Sequence, residues 1–584
     1  MPSNKRDVNG NIQALSDIHL TIRIDRIERC QEDRLKNQRF FNRQICACTQ
    51  IRRLRQEWRV QMELMKKNIH TERIKAKALL QIPLEEDINV SDTKPDVARI
   101  IHCSGRVKTD EIKMGMNKIW VKGRLMFQVL YQAEGSGAGI SGMDGELPFM
   151  EEIYLDKMEG QDRVICKAWL DDLRVQIINS RKLSIQAVIS FEPKVEETVS
   201  EEICTEIEGV DLSGMESGLE YRKKKLDYLE TVVKKRDLLR IHEETKLPAG
   251  MPDIGTTLWK SMDISQISFC AVDEKLAVNG EMSVFVVYRE DSSDKINWYE
   301  TTVPFGGSVE CQNSREGMLA DVSYDIGHEE ISIREDTDGE PRIIGIEAAL
   351  ELEIKLYEQE QGQVVADVYG VSCEVNAVTD NRAFRNLLAE MNIEEKLAKT
   401  IKIEDTENKV LQICHCDAHA VVEDISFDDN EMHITGTIAL KLLYASNTEE
   451  TAIYPVKENI PFEVTRALEG TGGMDIEQYA VDVQITQQTV SIKDSEQLEW
   501  RGVLNIRVLV YDSKNEAILT DLKLSPIPVE VLEGLPGFAI YYVKSGDTLW
   551  QIGKKYYVSV ERIKEINNLT DDVINVGDRL LIVK

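Results

Sequence analysis

VKGRLMFQVLY, residues 121–131, returns twice along the chain, as VNGEMSVFVVY from Val278 and as ITGTIALKLLY from Ile434. The three copies lie 157 and 156 residues apart. A Pro-Phe pair follows each copy and keeps the same spacing, at residues 148–149, 304–305 and 461–462. Because two separate landmarks share one period, the sequence predicts three tandem copies of a single domain.

Each copy consists of short runs rich in Val, Ile, Leu and Tyr, which is the composition of β-strands. The repeated stretch alternates between apolar and polar residues and then becomes almost continuously apolar, as a strand does when it enters a sheet interior. A glycine shared by the copies, at 123, 280 and 436, predicts a bend in this strand. We therefore expect a mainly β protein with three sandwich-like or barrel-like repeat domains.

The pattern changes between the copies, where apolar residues recur at helical separations among charged ones. The sequence predicts helical linkers at residues 205–240 and 381–398, which leaves three β domains at 62–204, 241–380 and 399–532. The residues that carry this pattern are Leu219, Leu226, Leu229, Val233 and Leu238 in the first linker, and Phe384, Leu387, Leu388 and Met391 in the second.

Composition limits the classes of function. The 584 residues carry 71 basic and 102 acidic side chains, a net charge of −31 that opposes binding to nucleic acid. No apolar run approaches the ~18 residues of a membrane span. The first residues lack the apolar core of a secretory signal, and the eleven cysteines form no disulfide pattern. These features predict a cytoplasmic protein.

Residues 1–61 differ from the rest, because they hold 13 basic and seven acidic side chains, a net charge of +6. They also lack a sustained apolar period. Two alternatives remain open: this segment is a disordered basic arm, or translation begins at Met62 and the extension is not part of the protein.

The last 44 residues, 541–584, read YYVKSGDTLWQIGKKYYVSVERIKEINNLTDDVINVGDRLLIVK. A strand at Tyr541 is followed by a Ser-Gly-Asp turn, after which Asp547 or Thr548 can cap a first helix. Ser559 can cap a second helix, and a Gly-Asp turn leads into a final strand. The sequence thus predicts a small βααβ module.

Two family resemblances follow from these motifs. A Pro-Asp turn at Asp96 and Asp253, the glycine-centred strand and the Pro-Phe pair resemble the SPOCS domains of endospore-forming bacteria over residues 80–532, although the third copy lacks Pro-Asp. This resemblance implies β-rich, non-enzymatic assembly domains of spore coat morphogenesis.

Residues 541–584 resemble a LysM domain, a family that binds N-acetylglucosamine-containing glycans such as peptidoglycan. The resemblance implies a glycan groove between two loops, although several of these residues are also turn and cap residues that the fold needs. The implied groove consists of Gly546, Asp547, Thr548 and Leu549 in the first loop, and Asn568, Leu569, Ile574, Asn575 and Gly577 in the second.

Other motifs carry little chemistry. Cys414, His415, Cys416 and His419 are metal-ligand types, but their spacing lacks the second pair of a zinc site. The glycines between 135 and 142 lack the Lys-Ser/Thr of a phosphate-binding loop. We therefore expect no metal, no cofactor and no catalytic residue.

These observations predict a non-enzymatic assembly protein of the endospore coat. It would tether coat proteins to the forespore surface from the mother-cell cytoplasm. The expected partners are spore coat morphogenetic proteins and a peptidoglycan-type glycan, with the LysM module docking to glycan or protein. The alternative is a peptidoglycan-binding protein of the cell wall or cell surface.

Overall fold

The computed structural model describes residues 60–135, 139–159, 162–211, 218–293, 295–403, 409–428, 430–446, 453–469, 478–494 and 496–584. Strands make up 78% of the structure and helices 4%, which confirms the mainly β prediction. The predicted N-terminal extension, residues 1–61, lies outside the described residues except for its last two, which begin the first strand.

Three repeats of strands precede the C-terminal module. The strands of the first repeat are β1 (Val60–Lys77), β2 (Leu80–Asn89), β3 (Val97–Gly115), β4 (Lys118–Ala133), β5 (Ile140–Tyr154), β6 (Arg163–Asn179) and β7 (Lys182–Asp211). Those of the second are β8 (Leu219–Lys246), β9 (Ile254–Val272), β10 (Lys275–Glu290), β11 (Ile296–Glu310), β12 (Leu319–Glu335) and β13 (Pro341–Gly370). Those of the third are β14 (Glu374–Lys402), β15 (Val410–Asp428), β16 (Glu431–Ser446), β17 (Ile453–Ala467), β18 (Gln478–Asp494) and β19 (Gln497–Ser525). A short helix, α1 (Val529–Gly534), connects the third repeat to the module, which consists of β20 (Phe538–Tyr542), α2 (Leu549–Tyr556), α3 (Val560–Asn567) and β21 (Arg579–Val583).

Each repeat pairs two antiparallel sheets around one core. The first sheet is a three-stranded meander, in the orders β3-β4-β5, β9-β10-β11 and β15-β16-β17. In the second sheet, the long last strand of the repeat lies between its first strand and its fifth, as in β8-β13-β12 and β14-β19-β18. In the first repeat, β1 and β2 together take the place of this first strand and both pair with β7.

The glycine and the Pro-Phe pair that define the repeat belong to one structural feature. Gly280 lies directly opposite Phe305 on the neighbouring strand. A Cβ atom at Gly280 would stand 2.7 Å from Cζ of Phe305, so the ring occupies the space that the glycine leaves empty. Gly123 and Gly436 have the same relation to Phe149 and Phe462. The sequence predicted a bend at this glycine. In the structure, the missing side chain makes room for the phenylalanine ring of the neighbouring strand.

The Pro-Asp sequence forms a turn, and the tyrosine at the end of the repeated stretch holds this turn through a hydrogen bond. The hydroxyl of Tyr131, at the end of the repeated stretch, donates a hydrogen bond to the carbonyl of Pro95 at 3.0 Å, and Tyr288 does the same to Pro252 at 2.9 Å. Asp96 forms an ion pair with Arg181 at 3.0 Å. These contacts assign Asp96 to a structural role.

Both predicted helical linkers are wrong, because residues 205–211, 219–240 and 381–398 lie in long strands; the rest of the first linker, residues 212–217, falls outside the described residues. β8 pairs with β13 along its whole length, and β14 pairs with β19. Each long strand contains a bulge, at Val232 and Leu388, where two residues face one residue of the partner. A bulge changes which side chains face the core. Leu226 and Leu229 lie on opposite faces of β8 and are buried in separate apolar clusters, and Val233, just after the bulge, is buried in the core of the second repeat. Because both faces of the strand are buried, its apolar residues fall at separations of three and four, which imitates a helix.

The three repeats form a closed ring. β5 of the first repeat contacts β9 of the second, β11 contacts β15, and β17 of the third returns to β3 of the first. Arg99 of the first repeat lies over the ring of Tyr454 in the third, 4.5 Å from its centre. Equivalent residues meet at the centre of the ring in one apolar cluster, which includes Leu130, Val287 and Leu443.

A second set of contacts joins the long strands, whose outer halves extend beyond the sandwiches as three two-stranded arms. Equivalent residues of the three arms, Ile203, Val364 and Ile518, are buried in one cluster. At the base of the first two arms, Glu72 and Glu196 form buried ion pairs with Lys234 and Lys355. The arms thus join the repeats into one unit whose free end carries the C-terminal module.

Candidate functional site

The C-terminal module folds as the predicted βααβ unit. β20 and β21 pair antiparallel, and both helices pack against them around a core that includes Leu549, Ile563 and Leu580. Thr548 caps α2: its hydroxyl accepts from the amide of Gln551 at 3.2 Å, while the Gln551 side chain accepts from the Thr548 amide at 3.3 Å. This reciprocal capping box fixes the loop that precedes the helix.

The first predicted groove loop combines exposed and structural residues. Gly546 is exposed and has a φ of 88°, a conformation that favours glycine. The Asp547 carboxylate accepts hydrogen bonds at 2.8 Å from the Lys544 amide and from the Tyr541 hydroxyl, and these bonds hold the pKa of Asp547 below its usual value. Leu549 is only 2% exposed, so its side chain supports the loop from below.

The second predicted groove loop begins at Asn568, which ends α3 in the left-handed conformation with a φ of 53°. Leu569 and Ile574 are half-buried against the core of the module. The backbone amide of Asn575, whose side chain is exposed, donates a hydrogen bond to the Asp578 carboxylate at 2.8 Å. The Gly577 amide donates to the Val543 carbonyl at 2.9 Å, and this bond places the end of the second loop beside the start of the first.

The two loops offer the groups that sugar recognition needs. Thr548, Asn568 and Asn575 are exposed and polar. Two residues that the sequence did not single out, Val573 and Val576, are 69% and 71% exposed on the second loop. Hydroxyl partners beside apolar side chains suit sugars, which present both hydroxyl groups and C–H faces. The sequence pattern could not identify these valines as exposed, because their exposure depends on the path of the second loop across the module.

The module is docked on the arm of the second repeat. The Asp367 carboxylate accepts hydrogen bonds from the Trp550 indole at 2.8 Å and from Lys554 at 2.7 Å. The Tyr369 hydroxyl donates to the Val558 carbonyl at 2.9 Å, and its ring meets that of Trp550 edge to face at 4.8 Å. Burial works to raise the pKa of Asp367, but Lys554 and Trp550 outweigh it and hold the pKa below its usual value.

The docking contacts come from α2 and the turn after it, whereas the groove loops remain accessible. Gly546, Thr548, Asn568, Asn575 and Gly577 are all exposed in the full chain. The sequence contained no signal for this docking, because Asp367 and Trp550 are 183 residues apart. The arm therefore fixes the orientation of the module without covering its candidate glycan groove.

The candidate metal ligands have structural roles. Cys414 is buried at the centre of the ring, and the Nδ1 of His415 lies 2.9 Å from a carboxylate oxygen of Glu300. The Asp417 carboxylate raises the pKa of His419 to about 9, so this imidazole carries a proton at neutral pH. Within the described ranges, no group of three or more His, Cys, Asp and Glu side chains is arranged to hold a metal ion. No helix in the same ranges is long and apolar enough to span a bilayer.

Comparisons with known families agree with this architecture. The family model described as SipL, SPOCS domain matches three times, at residues 96–178, 253–334 and 409–493. The LysM domain model matches residues 541–583. These domains are binding modules, and together they fit a sporulation-related, peptidoglycan-binding protein.

Curated relatives match only the LysM region. A probable N-acetylmuramidase of Lactococcus lactis subsp. lactis is 52% identical over 42 residues, which are 7% of this chain and 10% of that protein. The probable peptidoglycan endopeptidase LytE of Bacillus subtilis is 48% identical over 40 residues, 7% of this chain and 12% of LytE. The chain thus spans about a tenth of these relatives' length.

No solved structure gives a significant match to the chain. The three family matches fall within the three repeats of the ring, and the fourth falls on the module docked to the second arm. The chain is therefore a protein of three SPOCS domains followed by a C-terminal LysM domain.

Proposed function

We propose that this chain is a non-enzymatic scaffold of the endospore coat, in which the SPOCS ring recruits coat proteins and the LysM module attaches the ring to the forespore surface. The observation that carries the proposal is the position of the module. Its α2 side is fixed to the second arm through Asp367 and Tyr369, while the loops at Gly546 and Gly577 stay exposed. A rigid ring with one outward-facing binding module is suited to tethering.

Charge supports a division of labour between the two parts. Residues 62–540 carry 51 basic and 89 acidic side chains, whereas residues 541–584 carry seven and six. A strongly acidic ring attracts basic protein partners and is repelled by an anionic wall. A nearly neutral LysM module can approach such a surface. The mother-cell cytoplasm is the compartment in which a scaffold of this kind would work on the forespore.

The LysM module has glycan as its first proposed ligand. Thr548, Asn568 and Asn575 supply exposed polar groups, and the neighbouring valines supply apolar contact. Its relatives include proteins named as an N-acetylmuramidase and a peptidoglycan endopeptidase. The same likeness favours a second candidate function, a peptidoglycan-binding protein of the cell wall or cell surface.

Glycan binding can be tested with variants that preserve the backbone. Asn568→Gly removes the amide and keeps the left-handed conformation, which glycine adopts readily. Each lost hydrogen bond of about 1 kcal/mol corresponds to roughly a fivefold change in affinity. We expect Asn568→Gly and Asn575→Ala to weaken binding of chitin oligomers about fivefold each, as measured by calorimetry.

The control is Asn117→Gly, because Asn117 also has a left-handed backbone and lies in an exposed turn of the first repeat. This variant should bind the oligomers as the unmodified chain does. If Asn568→Gly and Asn575→Ala also bind like the unmodified chain, these loops are not the glycan site, and if the unmodified chain does not bind the oligomers at all, glycan is not the ligand of the module.

A further inference from the structure

The outer face of the β20–β21 sheet is apolar although it is exposed. The two strands pair residue by residue, and successive pairs point to opposite faces of the sheet. One face, which includes Leu580 and Ile582, is buried in the core of the module. The other, called here the sheet face, consists of three pairs, which from one end to the other are Phe538 with Val583, Ile540 with Leu581 and Tyr542 with Arg579.

The composition of the sheet face differs from that of an ordinary solvated sheet. An antiparallel sheet with one face in the core normally carries polar residues on the other. Here five of the six side chains are aliphatic or aromatic. In the full chain, Phe538, Ile540 and Tyr542 are 71%, 62% and 56% exposed, and Leu581 is 38% exposed. Because the core of the module lies on the opposite face, this apolar surface indicates a binding site rather than a need of the fold.

The sheet face also lies away from the ring. The two helices of the module pack against the core face of the sheet. The helix α2 contacts the second arm, through Trp550 and Lys554 on Asp367. The helical side of the module therefore faces the arm, and the sheet face lies on the side that a large partner can reach.

We propose that the sheet face is a dimer interface, on which the sheet face of a second copy of this chain packs. A two-fold axis that runs across the strands pairs Ile540 with Ile540 and Leu581 with Leu581 at the centre of the interface. The same axis places Phe538 of one copy against Tyr542 of the other at both ends. Aliphatic side chains thus meet at the centre and aromatic side chains meet at the ends, so the face is complementary to itself.

The charges at the sheet face are compatible with a second copy. Its two nearest basic side chains belong to one end: Arg579, whose guanidinium lies 5.5 Å from the centre of the Tyr542 ring, and Lys544, two residues after that tyrosine. The two-fold axis places these ends of the two copies far apart. Asp578 and Lys584, which flank β21, lie on the core side, where the Asp578 carboxylate accepts from the Asn575 amide and Lys584 lies over Tyr557.

The balance of charge over the chain favours a copy of the module over a strongly charged partner. Residues 541–584 carry seven basic and six acidic side chains, so two modules do not repel each other strongly. Residues 62–540 carry 51 and 89, but the modules lie between the two acidic rings in this dimer. A strongly acidic or basic partner would find almost no charge to match on the sheet face.

The area of the sheet face corresponds to a reversible dimer. At about 200 Å² for each large side chain, the four exposed fractions given above amount to roughly 450 Å² on each copy. Full burial of both faces would remove about 900 Å² from water, just below the ~1,000 Å² that a stable interface exceeds. We therefore expect the copies to associate reversibly.

Sedimentation velocity of the full chain at about 1 to 100 μM tests the proposal. The unmodified chain should shift from monomer towards dimer as its concentration rises. Ile540→Thr with Leu581→Thr introduces residues that suit strands and should weaken dimerisation at least tenfold. The matched control, Ile178→Thr with Ile492→Thr, changes aliphatic residues that are 49% and 42% exposed on β6 and β18, and it should dimerise normally. Hydrogen exchange of α2 and α3 should be unchanged in both variants, which verifies that the module remains folded.

Nitration of tyrosine in the unmodified chain locates the interface. Tyr542 should react at low concentration and be protected at high concentration, whereas Tyr479, 44% exposed on β18, should react equally at both. A chain that stays monomeric over the whole range overturns the proposal, as does equal dimerisation of the Ile540 variant and its control. Protection of Tyr542 at low concentration also overturns it, because another part of the same chain would then cover the face. None of these outcomes depends on whether the groove loops bind glycan.

Discussion

Replacing Gly280 by alanine is expected to destabilise the second repeat, although the change adds one methyl group. The new Cβ would stand 2.7 Å and 2.9 Å from two carbons of the Phe305 ring and 3.3 Å from Cα of Ile267. Ordinary contacts between carbon atoms begin near 3.5 Å, so the buried ring must shift by most of an ångström. Overpacking of this kind costs roughly 1–3 kcal/mol.

Hydrogen exchange measured by mass spectrometry on peptides covering β10 gives the local free energy of opening, which should fall by about that amount. Phe305→Leu shortens the side chain and relieves the clash, so Gly280→Ala and Phe305→Leu together should cost at least 0.5 kcal/mol less than their sum, about the limit of additivity for independent sites. The control is Gly306→Ala, where the new Cβ would meet only the Asn279 side-chain oxygen at 3.1 Å. The explanation that Gly280 makes room for the Phe305 ring would be refuted if the free-energy changes of the two substitutions were additive, or if Gly280→Ala did not change the free energy of opening.

Three further predictions concern the joints between domains. Glu72→Gln should cost about 1.5–3 kcal/mol at neutral pH, because it removes the charge of Glu72 from its buried contacts with Lys234 and Lys355, while Glu196 still pairs with both lysines. Burial works to raise the pKa of Glu72, but Lys355 and Lys234 outweigh it and hold the pKa below its usual value. The stability that Glu72 contributes should therefore be complete above the unfolded pKa near 4.3 and be lost as the pH falls through the lower folded pKa. Calorimetry from pH 7 to pH 3 measures this loss. Asp367→Ala should release the LysM module from the arm, seen as faster proteolysis between Ser525 and Phe538, without changing the affinity for chitin oligomers. The closed ring should unfold in one calorimetric transition, and three separate transitions would show that the repeats are independent.

The sequence was sufficient for the parts of the fold that repeat. Two landmarks with one period predicted three β domains, and the LysM module was predicted because its caps and turns are local. Thr548 and Asn568 determine helix ends through bonds to residues within a few positions of themselves. Such short-range signals survive in a single sequence without knowledge of the tertiary contacts.

The long strands were mistaken for helices because their pairing is not local. β8 pairs with β13, whose paired residues are 97 to 151 positions away, and burial on both faces of β8 gives its apolar residues a helical spacing. Ring closure and the docking of Trp550 on Asp367 likewise join residues that are distant in sequence. Hydrophobic periodicity carries no information about such contacts, so only the structure reveals that the three repeats form one body.

The sequence predicted that the candidate groove residues lie on loops of the module, but not which of their side chains are accessible. Gly546 and Asn568 fall on exposed loops, whereas Leu549 lies in the core and Asp547 is engaged by Tyr541 and Lys544. The exposure of Val573 and Val576 depends on the path of the second loop, which the sequence pattern did not indicate.

Fluorescence imaging in sporulating cells tests the proposed tethering most directly. The full chain is compared with a version that ends at Gly537, just before β20, and with Asn568→Gly, which keeps the contacts between the module and the second arm. We expect the full chain to surround the forespore, the shortened chain to remain folded but disperse through the mother cell, and Asn568→Gly to be partly displaced. If the shortened chain still encircles the forespore and the coat still attaches, the LysM module is not the anchor.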